Sequence, residues 1–241
     1  MPAFPTTRHS VIERLRSPEG LQRTEAFAEL AAGYWKPVYK YLRVRWRLSA
    51  EEAEDATQAF FAEALEKSWF DRYEPSKAKL RTFVRLCVDR LVMNLQQTAA
   101  RAKRGGGAPV LSVDSFDFGG AEHELVGQAL TTPPEADEFF KREFVRALFE
   151  RAVRAVHDDC IARSRDLHWR LFQRYDLSPD VETSYGALAA EFGLTTGQVT
   201  GYLAQMRAAF RTHAVAALEA LSVDRDEFRR EARELFGLEI E

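Results

Sequence analysis

The chain has 241 residues, of which 46% are hydrophobic and 29% charged, with a formal net charge of -3 at neutral pH. That is enough apolar material for one packed domain or two small ones, and there is no excess of Gly or Pro of the kind found in unfolded chains. The sequence lacks an apolar run of membrane-spanning length and a signal core in its opening residues MPAFPTTRHS, and it holds two cysteines. These features exclude a membrane span and a disulfide framework, and they predict a cytoplasmic protein.

Charge is distributed unevenly along the chain. Residues 49–71 hold seven acids and one Lys, whereas residues 72–104 hold nine Lys or Arg and two acids. Residues 105–140 hold seven acids and no Lys or Arg, and residues 219–241 hold eight acids and four Arg. Such blocks indicate at least two kinds of charged surface, unless each block is an ordinary solvated helix face.

The N-terminal half has the periodicity of three helices. Apolar residues recur every three or four positions across 27–46, where Pro37 is expected to kink or divide the helix. Ser49 and Glu52 form a capping box, which predicts the start of a second helix. A third apolar repeat runs across 76–104 and meets three consecutive glycines, a strong signal for a helix end.

The second of these helices has an unusual polar face. Asp55 and Gln58 lie three residues apart on it, beside the small residues Ala59 and Ala62. Small residues permit the close approach of another helix, while a carboxylate and an amide can bind basic and polar partners. Such a face differs from the Lys and Glu lattice of an ordinary solvated helix. The alternative is that Asp55 is a solvated surface charge.

Residues 105–138 differ in kind from their surroundings. They are acidic and rich in Gly and Pro, which predicts a flexible linker with one short extended piece, PVLSVD. Helical periodicity returns at residue 139. We therefore predict an all-α fold with two small helical domains, 1–104 and 139–241, joined by an acidic linker. The amphipathic tail is expected to pack on the second domain or to bind a partner.

The second domain contains the pattern of a helix-turn-helix across 184–210. Leu188 and Val199 are apolar where two helices would pack, and Gly193 stands where the turn needs a left-handed backbone. Thr195 and Gln198 form a second capping box. The pattern favours a DNA-binding helix-turn-helix over a plain helical hairpin, which remains the alternative.

The second helix of this motif would be the reading helix. Gly197 and Gly201 weaken it, and basic residues are sparse, so we expect weak intrinsic DNA affinity. Its outward face is predicted to carry the base and phosphate contacts, from Thr195, Thr196, Gln198, Thr200, Gln205, Arg207 and Arg211.

Taken together, the two modules resemble the bacterial extracytoplasmic-function sigma factors, two-domain members of the sigma-70 family. Residues 34–67 look like the polymerase-binding part of sigma region two, and residues 72–107 resemble its promoter-melting and promoter-reading part. The segments TTRHSVI and KRGGGAPVLSVD look like a subgroup common in bacteria with many Ser/Thr kinases. The resemblance covers nearly the whole chain.

The resemblance implies a transcription initiation factor that has no catalytic activity or cofactor of its own. Its partners would be promoter DNA and core RNA polymerase, bound at the β′ clamp helices and the β flap. Asp55, Gln58, Ala59 and Ala62 would dock on the clamp helices, and the helix-turn-helix would contact the minus-thirty-five element. The minus-ten element would be melted and read by Tyr73, Lys77, Lys79, Arg81, Arg85, Asn94, Gln97, Arg101, Lys103 and Arg104.

The acidic linker has two interpretations. In the family, the connector threads the RNA path of the polymerase, where seven acids without a basic residue would mimic nucleic acid. The alternative is an ordinary flexible linker whose charge keeps it soluble.

The sequence departs from the family after Gln58, where an acidic residue is usual and Ala59 stands instead. We hypothesise that phosphorylation of Thr57 by a Ser/Thr kinase supplies the missing charge. The alternative is that Thr57 packs within its helix. An anti-sigma protein is the other regulatory partner that the resemblance implies.

The sequence offers two other functional classes as alternatives. One is an adaptor that retains the sigma fold as an interaction module without binding DNA. The other is an enzyme, which is disfavoured because the sequence holds no nucleophile–base constellation, Walker loop or dinucleotide fingerprint. A metal site is also disfavoured, since the spacing of His157, Cys160 and His168 matches no standard zinc site.

Overall fold

The computed structural model describes residues 11–17, 19–102, 121, 132–178 and 183–240. Within these ranges all regular secondary structure is helical, which confirms the all-α prediction. A 3₁₀ turn spans Trp69–Arg72 and a π-helical turn spans Gln173–Leu177. The α-helices are α1 Val11–Leu15, α2 Gly20–Arg45, α3 Ala50–Glu66, α4 Leu80–Ala102, α5 Pro133–Ala162, α6 Asp166–Phe172, α7 Tyr185–Phe192, α8 Thr196–Ala220 and α9 Arg225–Phe236.

The chain divides into two compact units whose boundaries differ from the predicted ones. The first unit is Met1–Ala147 with Ala220–Glu241, and the second is Leu148–Glu219. The first half of α5 and the whole of α9 therefore belong with the N-terminal helices, although both were expected in the second domain. Of the predicted linker, the part from Pro133 onward is the start of α5. Its remainder, including PVLSVD, lies outside the described residues apart from Ala121.

Local signals set the helix boundaries of the first unit. The Ser49 hydroxyl accepts a hydrogen bond from the Glu52 amide at 3.2 Å, and the Glu52 carboxylate accepts one from the Ser49 amide at 2.8 Å. These bonds start α3 as predicted, and they lower the pKa of the Glu52 carboxyl. Pro37 lies inside α2 and does not divide it. The third predicted helix begins at Leu80, four residues later than expected.

The core of the first unit is aromatic. From α3, Phe60 and Phe61 are both buried, and the Phe61 ring meets the Phe27 ring of α2 edge-on at 6.2 Å. These two rings and the small residues on the same side of α3 are inside, so the opposite side of α3 faces outward.

The first half of α5 completes this core against α2. Tyr34 stacks on Phe144 with ring centroids 4.9 Å apart. Beside them the Lys40 ammonium lies 3.0 Å from the Glu143 carboxylate, with side-chain exposures of only 2% and 4%. The apolar face of α5 is therefore core of the first unit, directly after the segment predicted as a linker.

The C-terminal helix α9 packs in the first unit and not on the second domain as expected. Asp224 caps its start by accepting from the Glu227 amide at 2.7 Å, and Gly237 ends it in the left-handed conformation. Its buried apolar side chains are Phe228 and Ala232.

The second unit has its own apolar core. One cluster joins α6, α7 and α8 through Leu171, Leu188, Val199 and Leu203. A second joins α5, α6 and α8, where the Cys160 sulfur lies 3.9 Å from the Met206 sulfur. The packing of α6 and α7 against α8 positions α8, the predicted reading helix.

Candidate functional site

The outward side of α3 carries the residues predicted to bind polymerase. Asp55 is exposed, and Gln58, Ala59 and Ala62 are half-buried. Within the described part of the chain, neither the Asp55 carboxylate nor the Gln58 amide has a hydrogen-bond or ion-pair partner. The structure thus brings these four residues together as a small polar stripe, which we call the α3 stripe.

Thr57 does not belong to the α3 stripe. Its side chain is fully buried, and its hydroxyl donates to the Ala53 carbonyl at 2.6 Å. A kinase needs an exposed hydroxyl, so this placement argues against the phosphorylation hypothesis and favours the helix-packing alternative.

Tyr73, predicted to cradle a flipped base, is buried in the first unit. Its hydroxyl lies 2.9 Å from the Ala78 carbonyl and 3.1 Å from a Glu227 carboxylate oxygen. Burial, followed by the neighbouring Glu227 charge, raises the pKa of the Tyr73 phenol well above its usual value. In this conformation the ring offers no face to a nucleic acid.

Glu227 anchors α9 beside Tyr73 and the start of α4. Its carboxylate accepts hydrogen bonds from the backbone amides of Leu80 and Val223, each at 2.8 Å. Burial raises the pKa of the Glu227 carboxyl despite these donors. The first amide of α4 therefore finds its partner on a helix far along the chain.

Two predicted phosphate contacts, Arg81 and Arg85, are also buried, at 8% and 7% exposure. Arg81 forms ion pairs with Glu231 and Glu234 of α9. Arg85 lies 2.7 Å from Asp89 and 2.5 Å from Asp137, so both guanidinium groups are already occupied by carboxylates. Lys79 is likewise engaged with α9 through Glu231 and Glu234.

The remaining minus-ten candidates lie elsewhere on the surface of the first unit. Lys77 is exposed and pairs with Glu74 at 2.7 Å, while Asn94 and Gln97 are exposed on the second half of α4. The side chains of the last three candidates lie outside the described residues, namely Arg101, Lys103 and Arg104.

The predicted helix-turn-helix is present in the second unit as two helices joined by a tight turn. Gly193 ends α7 with φ of 65°, the left-handed conformation that the sequence predicted. The capping box is also confirmed, because Thr195 Oγ1 accepts from the Gln198 amide at 3.2 Å and Gln198 Oε1 accepts from the Thr195 amide at 2.9 Å.

Most of the predicted reading face of α8 is open. Arg207 is half-buried: its guanidinium lies 2.9 Å from Asp176 and 3.2 Å from the Tyr185 hydroxyl. The hydrogen bond to Asp176 raises the pKa of Arg207 above its usual value. The exposed members of the face are Thr195, Thr196, Gln198, Thr200, Gln205 and Arg211.

Replacing each of two glycines of this motif by Ala is expected to change the stability of the second unit in opposite directions. Gly193→Ala is expected to destabilise the second unit by about 1 kcal/mol, because a side chain strains the left-handed turn. Gly201→Ala is expected to stabilise it by about 0.5–1 kcal/mol, because Gly201 is helical and an added Cβ meets nothing within 4 Å. Thermal denaturation measures the melting temperature of each variant. Two changes of the same sign relative to the wild type would contradict this prediction.

Sequence reasoning missed the acidic residues of α9 and the role of Lys141. Glu227, Glu231 and Glu234 recur at spacings of four and three, which puts them on one side of a helix. That signal was visible in the sequence, but it does not say which basic surface the helix covers.

The described residues contain no cluster of three or more metal-ligating side chains. His157 packs on Trp169, with ring centroids 4.6 Å apart, and His168 packs on Tyr202 at 4.1 Å. In the same part of the chain, every helix is too short or too polar to cross a bilayer. Compared with known proteins, the chain matches no family model, no curated protein and no solved structure.

Proposed function

We propose that the protein is a sigma-type transcription initiation factor, acting in the cytoplasm without a cofactor. In this proposal the α3 stripe binds core RNA polymerase at the β′ clamp helices. The first unit melts and reads the minus-ten element, and the α7–α8 motif contacts the minus-thirty-five element, with the β flap as its polymerase partner.

The observation that carries the proposal is the state of the α3 stripe. On α3, Asp55 and Gln58 are followed one helical turn later by the small residues Ala59 and Ala62. Two small residues let another helix approach closely, and the adjoining carboxylate and amide supply directional contacts. Phe60 and Phe61 of α3 are buried inside the unit, whereas Asp55 is exposed, so the stripe is available to a partner.

The α7–α8 motif gives independent support. A capped second helix with exposed Thr and Gln side chains has the chemistry needed for base-edge contacts in a major groove. The single exposed Arg211 and the engaged Arg207 are consistent with weak affinity of this unit alone.

The second candidate function is an adaptor that binds a protein partner without reading DNA. It is favoured by the burial of Tyr73, Arg81 and Arg85, three of the residues expected to contact the minus-ten element. The two candidates share the α3 stripe and differ in whether the protein binds nucleic acid.

Co-purification with bacterial core RNA polymerase tests the shared part. Asp55→Ala/Gln58→Ala is expected to weaken the association by about thirtyfold or more, as for removal of an interface hot spot. The matched control is Gln22→Ala/Glu25→Ala, which removes an amide and a carboxylate three residues apart on the exposed surface of α2. Equal retention of both variants, or no association of the wild type, would contradict polymerase binding through α3.

Promoter binding in the presence of core enzyme separates the two candidates. A DNA reader should lose affinity steeply as salt concentration rises, because neutralised phosphates release counterions. An adaptor should bind core enzyme and leave the salt dependence of core–DNA binding unchanged.

A further inference from the structure

Helix α9 places two carboxylates among three cations of the first unit. Arg81 Nη1 is 2.5 Å from a Glu231 oxygen, and its Nη2 is 2.7 Å from a Glu234 oxygen. Lys79 Nζ lies 3.0 Å from Glu231 and also contacts Glu234. Lys141 Nζ, from α5, lies 3.4 Å from the same Glu234 oxygen that Arg81 contacts. The Glu234 carboxylate is therefore surrounded by three positive groups.

A cavity of about 290 Å³ adjoins this cluster. Two carboxylates on its wall, Asp137 and Glu138, are each paired, with Arg85 and Lys141 respectively. The remaining wall is formed by Lys79, Arg81, Thr82, Phe140, Lys141 and Glu234. Lys79, Arg81 and Lys141 thus line the cavity beside the Glu234 carboxylate with which they form ion pairs.

The contact between α9 and these cations is ionic rather than apolar. Of the twelve residues of α9, the buried ones are Phe228, Ala232 and two glutamates, Glu227 and Glu231. Salt and competing anions weaken the partly exposed ion pairs of Glu234 more than the buried Arg81–Glu231 pair. Two of the partners of Glu234, Lys79 and Lys141, have side-chain exposures of 30% and 28%, so a competing anion can reach them.

From this arrangement we infer that Glu231 and Glu234 stand in for backbone phosphates of a nucleic acid, and that release of α9 exposes a phosphate-binding site made of Lys79, Arg81 and Lys141. Arg81 lies in α4, Lys79 directly precedes that helix, and Lys141 lies in α5. Lys79 and Arg81 belong to the segment 72–104 with its nine basic residues. A polymer of phosphates matches that extended charge better than a free phosphate does. The identity of the polymer as promoter DNA rests on the proposed function.

Variants of the full chain in which charged side chains are replaced by Gln test this inference. Their affinity for a mixed-sequence DNA oligonucleotide is measured by fluorescence anisotropy. Glu231→Gln/Glu234→Gln is expected to bind DNA about tenfold more tightly than the wild type at low salt, with a salt slope steeper by about 3 for duplex DNA because three cations are exposed. Adding Lys79→Gln/Lys141→Gln to that variant should return the affinity to the wild-type value. A gain that survives loss of the two lysines would overturn the inference, since the new binding would lie elsewhere.

The matched control removes the same number of charges from the same tail. Asp226→Asn/Glu239→Gln alters two carboxylates with side-chain exposures of 78% and 74%, away from the three cations. Its DNA affinity should change less than about twofold. An equal gain in control and test variants would reduce the effect to net charge and contradict the inference.

Hydrogen exchange on the wild-type protein provides a test that needs no substitution. Saturating DNA is expected to accelerate exchange of the α9 amides, Arg225–Phe236, because DNA displaces the helix. Inorganic phosphate at the same phosphate concentration should not do so. Unchanged α9 exchange with DNA, or equal acceleration by free phosphate, would rule out a nucleic-acid site covered by α9.

Measuring the binding of the same variants to core polymerase distinguishes a failure of this inference from a failure of the proposed function. A gain of DNA affinity without core binding would retain the covered site and remove the sigma proposal. Core binding with no gain of DNA affinity would retain the sigma proposal and remove the covered site.

Discussion

Glu143→Leu is expected to lower the free energy of unfolding of the first unit by about 3 kcal/mol, the usual effect of removing one partner of a buried ion pair. The substitution removes the Glu143 carboxylate from beside the Lys40 ammonium, whose side chain is 2% exposed. Arg146 also contacts Glu143 at 3.1 Å, but it is 45% exposed and can be hydrated instead. The cost therefore falls on Lys40. Urea denaturation followed by circular dichroism measures it.

The double variant Lys40→Met/Glu143→Leu should recover most of that loss. Replacing both charges by apolar groups of similar volume removes the desolvation cost together with the attraction. A suitable control is Glu138→Leu, because Glu138 lies on the same helix with 69% exposure, and it should change stability by less than about 0.5 kcal/mol. Equal midpoints for Glu143→Leu and the wild type would show that Lys40 is hydrated and that α5 is not tightly packed on α2.

The second large effect is expected in the second unit, where Leu203→Ala should cost about 3 kcal/mol. Leu203 is 0% exposed and packs with Leu171, Leu188 and Val199. Shortening it removes apolar burial and leaves a cavity, and such changes typically cost about 2–5 kcal/mol. Because α8 carries the predicted reading face, this variant should also lose any contact with the minus-thirty-five element.

Hydrogen exchange shows which helices lose stability in Leu203→Ala. Amides of α6, α7 and α8 should exchange faster in Leu203→Ala, while those of α2 and α3 should stay protected. Ile161→Ala supplies the control, since Ile161 is an aliphatic residue of the same unit with 66% exposure. Uniform acceleration across both units would indicate that they unfold as one and would contradict the independent core of the second unit.

Local features were predictable from the sequence. The sequence pattern predicts the capping boxes at Ser49 and Thr195 and the left-handed turn at Gly193, and the structure has all three. Each depends on groups within about four residues of one another, so the sequence alone contains the interacting partners. The outward direction of Asp55 follows in the same way from the helical period of its apolar neighbours.

Contacts between distant segments were not predictable in this way. Arg81 was expected to face DNA, yet its partners Glu231 and Glu234 lie 150 and 153 residues further along the chain. A count of charges shows that a segment is basic, but it does not show whether those charges are already neutralised. Tyr73 is a similar case. An aromatic residue at this position is compatible with stacking on a flipped base, and the sequence does not show that the ring is buried.

The sequence by itself determined the helical class, the capped starts of α3 and α8, the helix-turn-helix turn and the polar stripe on α3. The tertiary structure decided which unit the first half of α5 and the tail belong to, and which basic residues are covered. The physical reason is that periodicity defines the apolar face of a helix without defining the surface that buries it. That choice depends on the joint packing of α2, α4, α5 and α9, which places the carboxylates of Glu231 and Glu234 against the cations of the first unit.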